Sequence, residues 1–238
     1  MNKASKILEV KDLTVSFNGI NVIDNLTFDV KKGDNFAIIG PNGSGKTVLF
    51  RTLLNTLPYK GEIKWAPNTK IGYVPQRLDI DKHLPLTLEE FLFTKIDIMK
   101  LDEKELDRVI DLVKIHPSSL RHPFAKLSGG QFQRALIAFA LIGNPSVLLF
   151  DEPTASVDYP SEEQIYETLH RLQDATGMTI ILISHDLSLV NRYANNVLCI
   201  NKQQICLGEP TAILTPENLE KLYGGPKKFY HHIHEDKH

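Results

Sequence analysis

The pattern of apolar and polar positions predicts strands at the start of the chain. Apolar residues nearly alternate with polar ones over residues 8–17 and alternate cleanly over residues 26–30, and a period of two is typical of strands with one buried face. The run Phe36–Ile39 is apolar throughout and ends at Gly40, which predicts a strand buried on both faces that leads into a glycine-rich turn. A helix is predicted to follow from Lys46 to about Leu57.

Further along the chain the apolar spacing becomes helical and then returns to strands. Between about Pro85 and Ile142 apolar residues recur at helical spacing, with few strand-like runs, which predicts a helical insertion. After Pro145 we expect strand Val147–Phe150, helix Glu162–Asp174, strand Thr179–Ile183 and a last strand near Val197–Ile200. Strands that alternate with helices in this way predict an α/β fold around a parallel sheet.

Length and charge narrow the class of protein. At 238 residues, with 42% hydrophobic and 24% charged residues, the chain has the composition of an ordinary globular domain. A formal charge of −2 leaves no basic excess for nucleic acid. The longest apolar runs fall far short of the roughly 20 residues that cross a bilayer. No basic segment followed by an apolar one opens the sequence, so we expect the chain to remain in the cytoplasm.

The two cysteines, Cys199 and Cys206, both lie in an apolar late segment. A disulfide-stapled secreted scaffold would need more of them. We expect two buried free thiols, with a disulfide or a metal-binding pair as the less favoured alternative.

A phosphate-binding turn is predicted between the buried strand and the first helix. The eight residues are Gly40, Pro41, Asn42, Gly43, Ser44, Gly45, Lys46 and Thr47, and they fit the pattern G-x-x-x-x-G-K-[ST] in the strand–helix context that it requires. Glycines let backbone N–H groups approach phosphate oxygens, and the helix N-terminus adds a positive field. Lys46 is expected to reach the β- and γ-phosphates and Thr47 to hold Mg²⁺. A merely structural glycine turn is the weaker reading.

Acidic residues follow the predicted strand Val147–Phe150. Asp151 is expected to hold Mg²⁺ beside the phosphate turn, and Glu152 to act as the base that positions the attacking water. The alternative is an acidic pair that is simply solvated at a strand end. His185 follows strand Thr179–Ile183, at an edge where ligands of open α/β sheets gather. A contact with the γ-phosphate is one interpretation, and a structural histidine is the more common one for the pattern alone.

A pentapeptide ahead of the apolar run Phe132–Ile142 suggests a family. Leu127–Gln131 has the sequence Leu-Ser-Gly-Gly-Gln. With the phosphate turn and the Asp151–Glu152 pair, it resembles the signature of the ATP-binding-cassette family, and the resemblance covers nearly the whole chain. The signature residues implied to contact nucleotide are Ser128, Gly129, Gly130 and Gln131.

The resemblance implies a fold and a domain organisation. The fold is that of P-loop nucleotide hydrolases, with a mainly parallel central sheet, an N-terminal antiparallel β subdomain and an inserted α-helical subdomain. The implied core lobe comprises residues 1–84 and 145–222, the helical signature subdomain residues 85–144, and a histidine-rich tail residues 223–238.

The resemblance also implies roles for four other residues. Gln76 corresponds to the glutamine that joins the lobes and senses Mg²⁺ and the attacking water, and Asp158 to the aspartate that crosses the dimer interface. His185 matches the switch histidine, and Phe17 stands where the family commonly stacks a tyrosine on adenine.

The implied activity is hydrolysis of ATP with Mg²⁺ by a homodimer of ATPase subunits that drives membrane transport. Its partners would be integral membrane permease subunits and, indirectly, an extracytoplasmic solute-binding protein, with no nucleic acid. It would sit peripherally on the cytoplasmic face of the cell membrane. A soluble ATPase of this type that serves DNA repair, chromosome structure or translation is an alternative, disfavoured by the single cassette and the absence of sustained heptads.

The cargo is suggested by weaker signals. Residues 84–90, 197–201 and 208–210 are similar to the zinc, manganese and iron importer branch of the family. The tail carries His231, His232, His234 and His238, which offer ligands for first-row metals. Terminal histidine clusters are at least as commonly a solvated polar tail or an appended tag. A transporter for another cargo is the alternative to a metal importer.

Overall fold

The computed structural model describes residues 5–76, 78, 85–151 and 159–225. Its strands are β1 (Lys6–Phe17), β2 (Ile20–Lys31), β3 (Asn35–Ile39), β4 (Lys60–Trp65), β5 (Ile71–Val74), β6 (Val147–Asp151), β7 (Thr179–Ile183), β8 (Asn196–Asn201) and β9 (Gln203–Gly208). Its helices are α1 (Lys46–Leu53), α2 (Leu88–Ile98), α3 (Lys104–Leu112), α4 (Gly129–Leu141), α5 (Tyr159–Thr176), α6 (Leu187–Tyr193), α7 (Pro210–Ile213) and α8 (Pro216–Tyr223).

The central sheet has six strands in the order β5-β6-β7-β3-β8-β9. All neighbouring pairs from β5 to β8 are parallel, and β9 joins β8 antiparallel. Every residue of β3, β6 and β7 is buried. This explains the runs of four apolar residues in each strand, since strands covered on both faces need no polar side. The predicted α/β class with a mainly parallel sheet is confirmed.

A second sheet of three antiparallel strands, β2-β1-β4, packs beside the first. Its buried side chains share one hydrophobic core with α1 and one face of the central sheet. In this core the rings of Phe28 and Phe36 stack with centroids 5.7 Å apart. The alternation in β1 and β2 therefore turns one face of this sheet toward α1 and the phosphate turn.

Helices α2, α3 and α4 form the helical segment that the spacing predicts. With α5, α6 and α8 they share a hydrophobic core with the other face of the central sheet. Helix α2 begins with a reciprocal capping box between Thr87 and Glu90. Phe91 packs against Phe124 and Phe139, with ring centroids 4.2 and 4.6 Å apart. These contacts hold α4, which begins at the signature segment, against the rest of the helical segment.

The carboxyl end of α4 is held by side chains from the two preceding helices. Lys95 Nζ donates to the Phe139 carbonyl oxygen at 2.8 Å, and Arg108 Nη2 donates to the Leu141 carbonyl oxygen at 2.8 Å. Glu105 pairs with Arg108 and accepts from the Gly143 N–H. The last carbonyls of a helix have no partner within it, so these side chains fix where α4 ends.

Two expectations about local structure are wrong. Helix α1 ends at Leu53 rather than near Leu57, because Asn55 adopts a left-handed conformation with φ of 57°. Cys199 and Cys206 are disulfide-bonded rather than free. The antiparallel strand β9 places them directly opposite each other, with Cα atoms 4.8 Å apart. Strand β9 was not among the predicted elements, so nothing in the sequence favoured the disulfide over two free thiols.

Among the helices that the structure describes, none combines the length and apolar character needed to cross a bilayer.

Candidate nucleotide-binding site

Several of the predicted site residues gather where the parallel strands of the central sheet end. Because β5, β6, β7 and β3 are parallel neighbours, their carboxyl ends lie side by side. Gly40 directly follows β3, Asp151 ends β6, and Gln76 and His185 each come two residues after their strands, β5 and β7. Residues far apart in sequence are thereby brought to one edge.

A cavity of about 360 Å³ lies at this edge. The described residues that line it are Val22, Asn42, Gly43, Gly45, Lys46, Thr47, Val48 and Gln76. The phosphate turn and Gln76 therefore face the same space.

Two glycines of the turn are required by its backbone. Gly45 has φ of 102°, a conformation that other residues rarely adopt, and a Cβ there would lie 3.0 Å from the Val22 carbonyl oxygen. A Cβ on Gly40 would overlap the carbonyl oxygen of Ile200 in β8. The close approach of β8 to the turn thus excludes any side chain at position 40.

The polar groups of the turn fit a phosphate ligand. Lys46 is 5% exposed, and its Nζ donates to the Gly40 and Pro41 carbonyl oxygens at 3.0 and 3.1 Å. Ser44 Oγ is buried and has no hydrogen-bond partner among the described residues. A buried hydroxyl in this condition is rare without a ligand, and backbone N–H groups at the start of α1 suit an anion.

Asp151 is 1% exposed and accepts a hydrogen bond on Oδ2 from the Tyr73 hydroxyl at 3.4 Å. Burial and the neighbouring Asp151 carboxylate raise the pKa of Tyr73 to about 12, so the phenol stays protonated and can donate at neutral pH. Tyr73 is not among the predicted site residues, because it belongs to no motif. Its position three residues before Gln76 is a weak signal in the sequence, and its place beside β6 is visible only in the structure.

Oxygen donors for a hard cation are present at this edge. Thr47 carries a hydroxyl that lines the cavity, and the Asp151 carboxylate lies at the end of β6. Mg²⁺ prefers oxygen ligands of this kind and retains several waters. The donor set therefore fits the Mg²⁺ that nucleotide hydrolases use.

His185 is exposed in a short bend between β7 and α6. The next residue, Asp186, caps α6 by accepting from the N–H groups of Ser188 and Leu189 at 2.7 and 3.0 Å. Together β7 and this cap fix the backbone on both sides of the histidine.

The signature segment lies apart from the phosphate cavity. Ser128 caps α4 through a reciprocal pair of hydrogen bonds with Gln131, and Gln131 lines a different cavity of about 110 Å³. The described lining of the phosphate cavity includes neither residues 128–131 nor Phe17, which is 42% exposed at the end of β1. Within one chain, these residues do not join the phosphate turn.

Several other predicted site residues lie outside the described residues. They are Glu152, Asp158, His231, His232, His234 and His238.

A phosphate turn after a central parallel strand, with an aspartate at the end of a nearby strand, defines a P-loop nucleotide-binding protein. Residues 23–155 match the family described as ABC transporter, and the chain belongs to that family. It is the ATP-binding and ATP-hydrolysing subunit of such a transporter.

Relatives and solved structures agree with this assignment. A probable metal transport system ATP-binding protein of Thermotoga maritima is 37% identical, with 92% of this chain and 90% of that protein covered. The zinc import ATP-binding protein ZnuC of Brucella abortus is 36% identical over 98% of this chain and 78% of its own length. A metal-chelate-type ABC transporter in an inward-facing conformation has a chain that is 28% identical, with a TM-score of 0.84 and coverage of 93% and 90%.

Proposed function

We propose that this subunit powers the import of a divalent transition metal, with zinc or manganese as the cargo. The observation that carries this proposal is the similarity to zinc import ATP-binding proteins, which extends over 98% of the chain. Cargo normally meets the permease rather than the ATPase, so the likeness must be tested in the assembled transporter.

The hydrolytic roles follow the geometry of the sheet edge. Lys46 holds the β- and γ-phosphates, and Thr47 and Asp151 hold Mg²⁺, which would neutralise phosphate charge when bound. Glu152 positions the attacking water, Gln76 reaches the metal and that water from β5, and His185 contacts the γ-phosphate. The shared edge of β5, β6, β7 and β3 supports this set, because their carboxyl ends adjoin.

Two copies of the chain are needed for a complete site. The separation of the signature segment from the phosphate cavity supports this step. Ser128, Gly129, Gly130 and Gln131 would contact nucleotide held by the phosphate turn of the other copy, and Asp158 would cross the interface. The exposed ring of Phe17 would stack on adenine.

The same arrangement implies how the subunit acts on its partners. We propose that residues 85–144 move as a helical subdomain against a core lobe formed by residues 1–84 and 145–222. That motion would be passed to integral membrane permease subunits at the cytoplasmic face of the membrane, with a solute-binding protein acting from the other side.

A separate proposal concerns the histidine-rich tail, residues 223–238, and the cargo. His231, His232, His234 and His238 would bind Zn²⁺ weakly. Calorimetry with ZnCl₂ on the full chain and on a chain truncated before His231 tests this, and an unchanged titration after truncation would rule the tail out.

Metal uptake tests the proposed cargo directly. The chain would be reconstituted with its permease and binding protein in vesicles, and ATP-dependent uptake of Zn²⁺, Mn²⁺ and Fe²⁺ would be measured. We expect uptake of Zn²⁺ or Mn²⁺ that Lys46→Ala abolishes, with Fe²⁺ as the comparison ion. Vesicles that hydrolyse ATP but take up neither Zn²⁺ nor Mn²⁺ would leave the ATPase role intact and refute the metal cargo.

A further inference from the structure

A buried hydroxyl pair lies directly behind the turn that carries His185. The Tyr166 hydroxyl, on α5, donates to Ser184 Oγ at 2.7 Å. Tyr166 is 2% exposed and Ser184 3% exposed. A short hydrogen bond between two buried side chains is worth more than a surface contact, because neither group can turn to water when the bond breaks.

Ser184 connects this bond to the backbone on both sides of His185. Its Oγ accepts from the Asp186 N–H at 3.1 Å, across the histidine, and its own N–H donates to the Ile38 carbonyl oxygen in β3 at 3.2 Å. One hydroxyl therefore closes the His185 turn and receives the bond from α5. The same residue is tied to the strand that leads into the phosphate turn.

We infer that Tyr166 is a positioning residue, which acts through Ser184 to hold His185 at the γ-phosphate. This inference rests on the proposed role of His185. His185 lies in the turn that Ser184 closes through the Asp186 N–H, so a change in this turn would move the ring. Loss of the Tyr166 hydroxyl would let this turn and His185 shift, while the phosphate turn and its Lys46 and Thr47 side chains stay in place.

The contribution of the Tyr166 ring can be separated experimentally from that of its hydroxyl. The Tyr166 ring stacks on Tyr193 of α6, with centroids 5.8 Å apart and planes inclined by 28°. Tyr166→Phe preserves this stacking and removes only the donor. Thr168→Val is a matched control, since Thr168 is a buried residue of the same helix whose hydroxyl donates to the Gln164 carbonyl oxygen instead.

The first test follows His185 itself by NMR of the full chain with ¹⁵N-labelled histidine. The signal that disappears in His185→Ala identifies the ring. Tyr166→Phe is expected to shift or broaden that signal, and Thr168→Val to leave it unchanged. An unmoved His185 signal in Tyr166→Phe, or an equal change in Thr168→Val, would overturn the inference.

The second test compares the effect of each variant on kcat with its effect on the Kd for ATP. Tyr166→Phe is expected to lower kcat about five- to ten-fold, the order of one buried hydrogen bond, with the Kd for ATP changed less than about two-fold. Ser184→Thr keeps a hydroxyl at the turn and is expected to retain most of kcat, whereas Ser184→Ala is expected to lose it. Equal rates in Ser184→Thr and Ser184→Ala would count against the hydroxyl mechanism.

Failure of the inference can be told apart from failure of the proposed function. If His185→Ala hydrolyses ATP at the wild-type rate, the proposed role of His185 is wrong, whatever Tyr166 does. If His185→Ala is impaired while Tyr166→Phe leaves both the His185 signal and kcat unchanged, only the positioning role is wrong.

Discussion

Across the β5–β6 pair, the Tyr73 hydroxyl donates a hydrogen bond to Asp151 Oδ2 over 3.4 Å. The ring of Tyr73 also meets Phe50 of α1 edge-on, with centroids 6.4 Å apart. One side chain thus connects the strand that leads to Gln76, the carboxylate proposed to hold Mg²⁺ and the helix that follows the phosphate turn.

Removal of the Tyr73 hydroxyl should lower the affinity for Mg²⁺. It should leave the affinity for ATP in the absence of Mg²⁺ unchanged. Partners that orient a metal-holding group typically affect metal affinity, and this bond is long, so Tyr73→Phe should weaken the apparent Mg²⁺ affinity by up to about ten-fold. Calorimetric titration of ATP with and without Mg²⁺ measures this. Tyr59→Phe is the control, because Tyr59 is a half-buried tyrosine just before β4 that is not part of the described lining of the phosphate cavity. Equal Mg²⁺ dependence in both variants would refute the orienting role.

The two turn glycines at positions 40 and 43 should respond differently to alanine. At Gly40 an added Cβ meets the Ile200 carbonyl oxygen and Ser44 Oγ, whereas at Gly43 nothing lies within 4 Å and only the φ of 78° is unfavourable. Gly40→Ala should lower the free energy of unfolding by about 3 kcal/mol or more, and Gly43→Ala by roughly 1–2 kcal/mol. Urea unfolding measures both free energies. A larger loss in Gly43→Ala than in Gly40→Ala would show that β8 does not approach the turn as closely as described.

Glu105 should contribute stability that acid removes. The hydrogen bond from Arg108 holds the pKa of Glu105 below its ordinary value of 4.5. A depressed carboxylate pKa stabilises the fold above the ordinary value, and that stability is lost as the pH falls through the lower folded pKa. Glu105→Gln should therefore be less stable than wild type at neutral pH, with the difference shrinking below about pH 4.5. Thermal unfolding between pH 3 and 7 measures this, with Glu220→Gln as the surface control. A difference that stays constant with pH would contradict the ion pair.

The cysteine pair predicts a simple thiol count. Because Cys199 and Cys206 are bonded across the β8–β9 hairpin, the unfolded, unreduced chain should present no thiols to Ellman's reagent. After reduction it should present two. Two thiols without reduction would mean that the hairpin holds a reduced pair.

The sequence predicted the parts of this molecule that local pattern encodes. Uninterrupted apolar runs located β3, β6 and β7, since strands buried on both faces have no polar positions to obscure them. The phosphate turn was found for a related reason, because its chemistry requires specific residues at fixed spacing.

What the sequence did not predict depends on tertiary pairing. Strand β4 has no fully buried residue and no clear alternation, so periodicity could not find it. Strand β9 is specified by its pairing with β8, and the Cys199–Cys206 bond depends on that pairing. Tyr73 carries no motif, and its contact with Asp151 arises only when β5 lies beside β6.

We propose that two copies of this chain close on ATP and hydrolyse it with Glu152 as the base. ATP hydrolysis by wild type and Glu152→Gln, measured together with gel filtration of both in Mg-ATP, tests this. We expect the variant to lose hydrolysis and to elute as an ATP-containing dimer. Hydrolysis by Glu152→Gln at the wild-type rate, with no dimer in either sample, would contradict it.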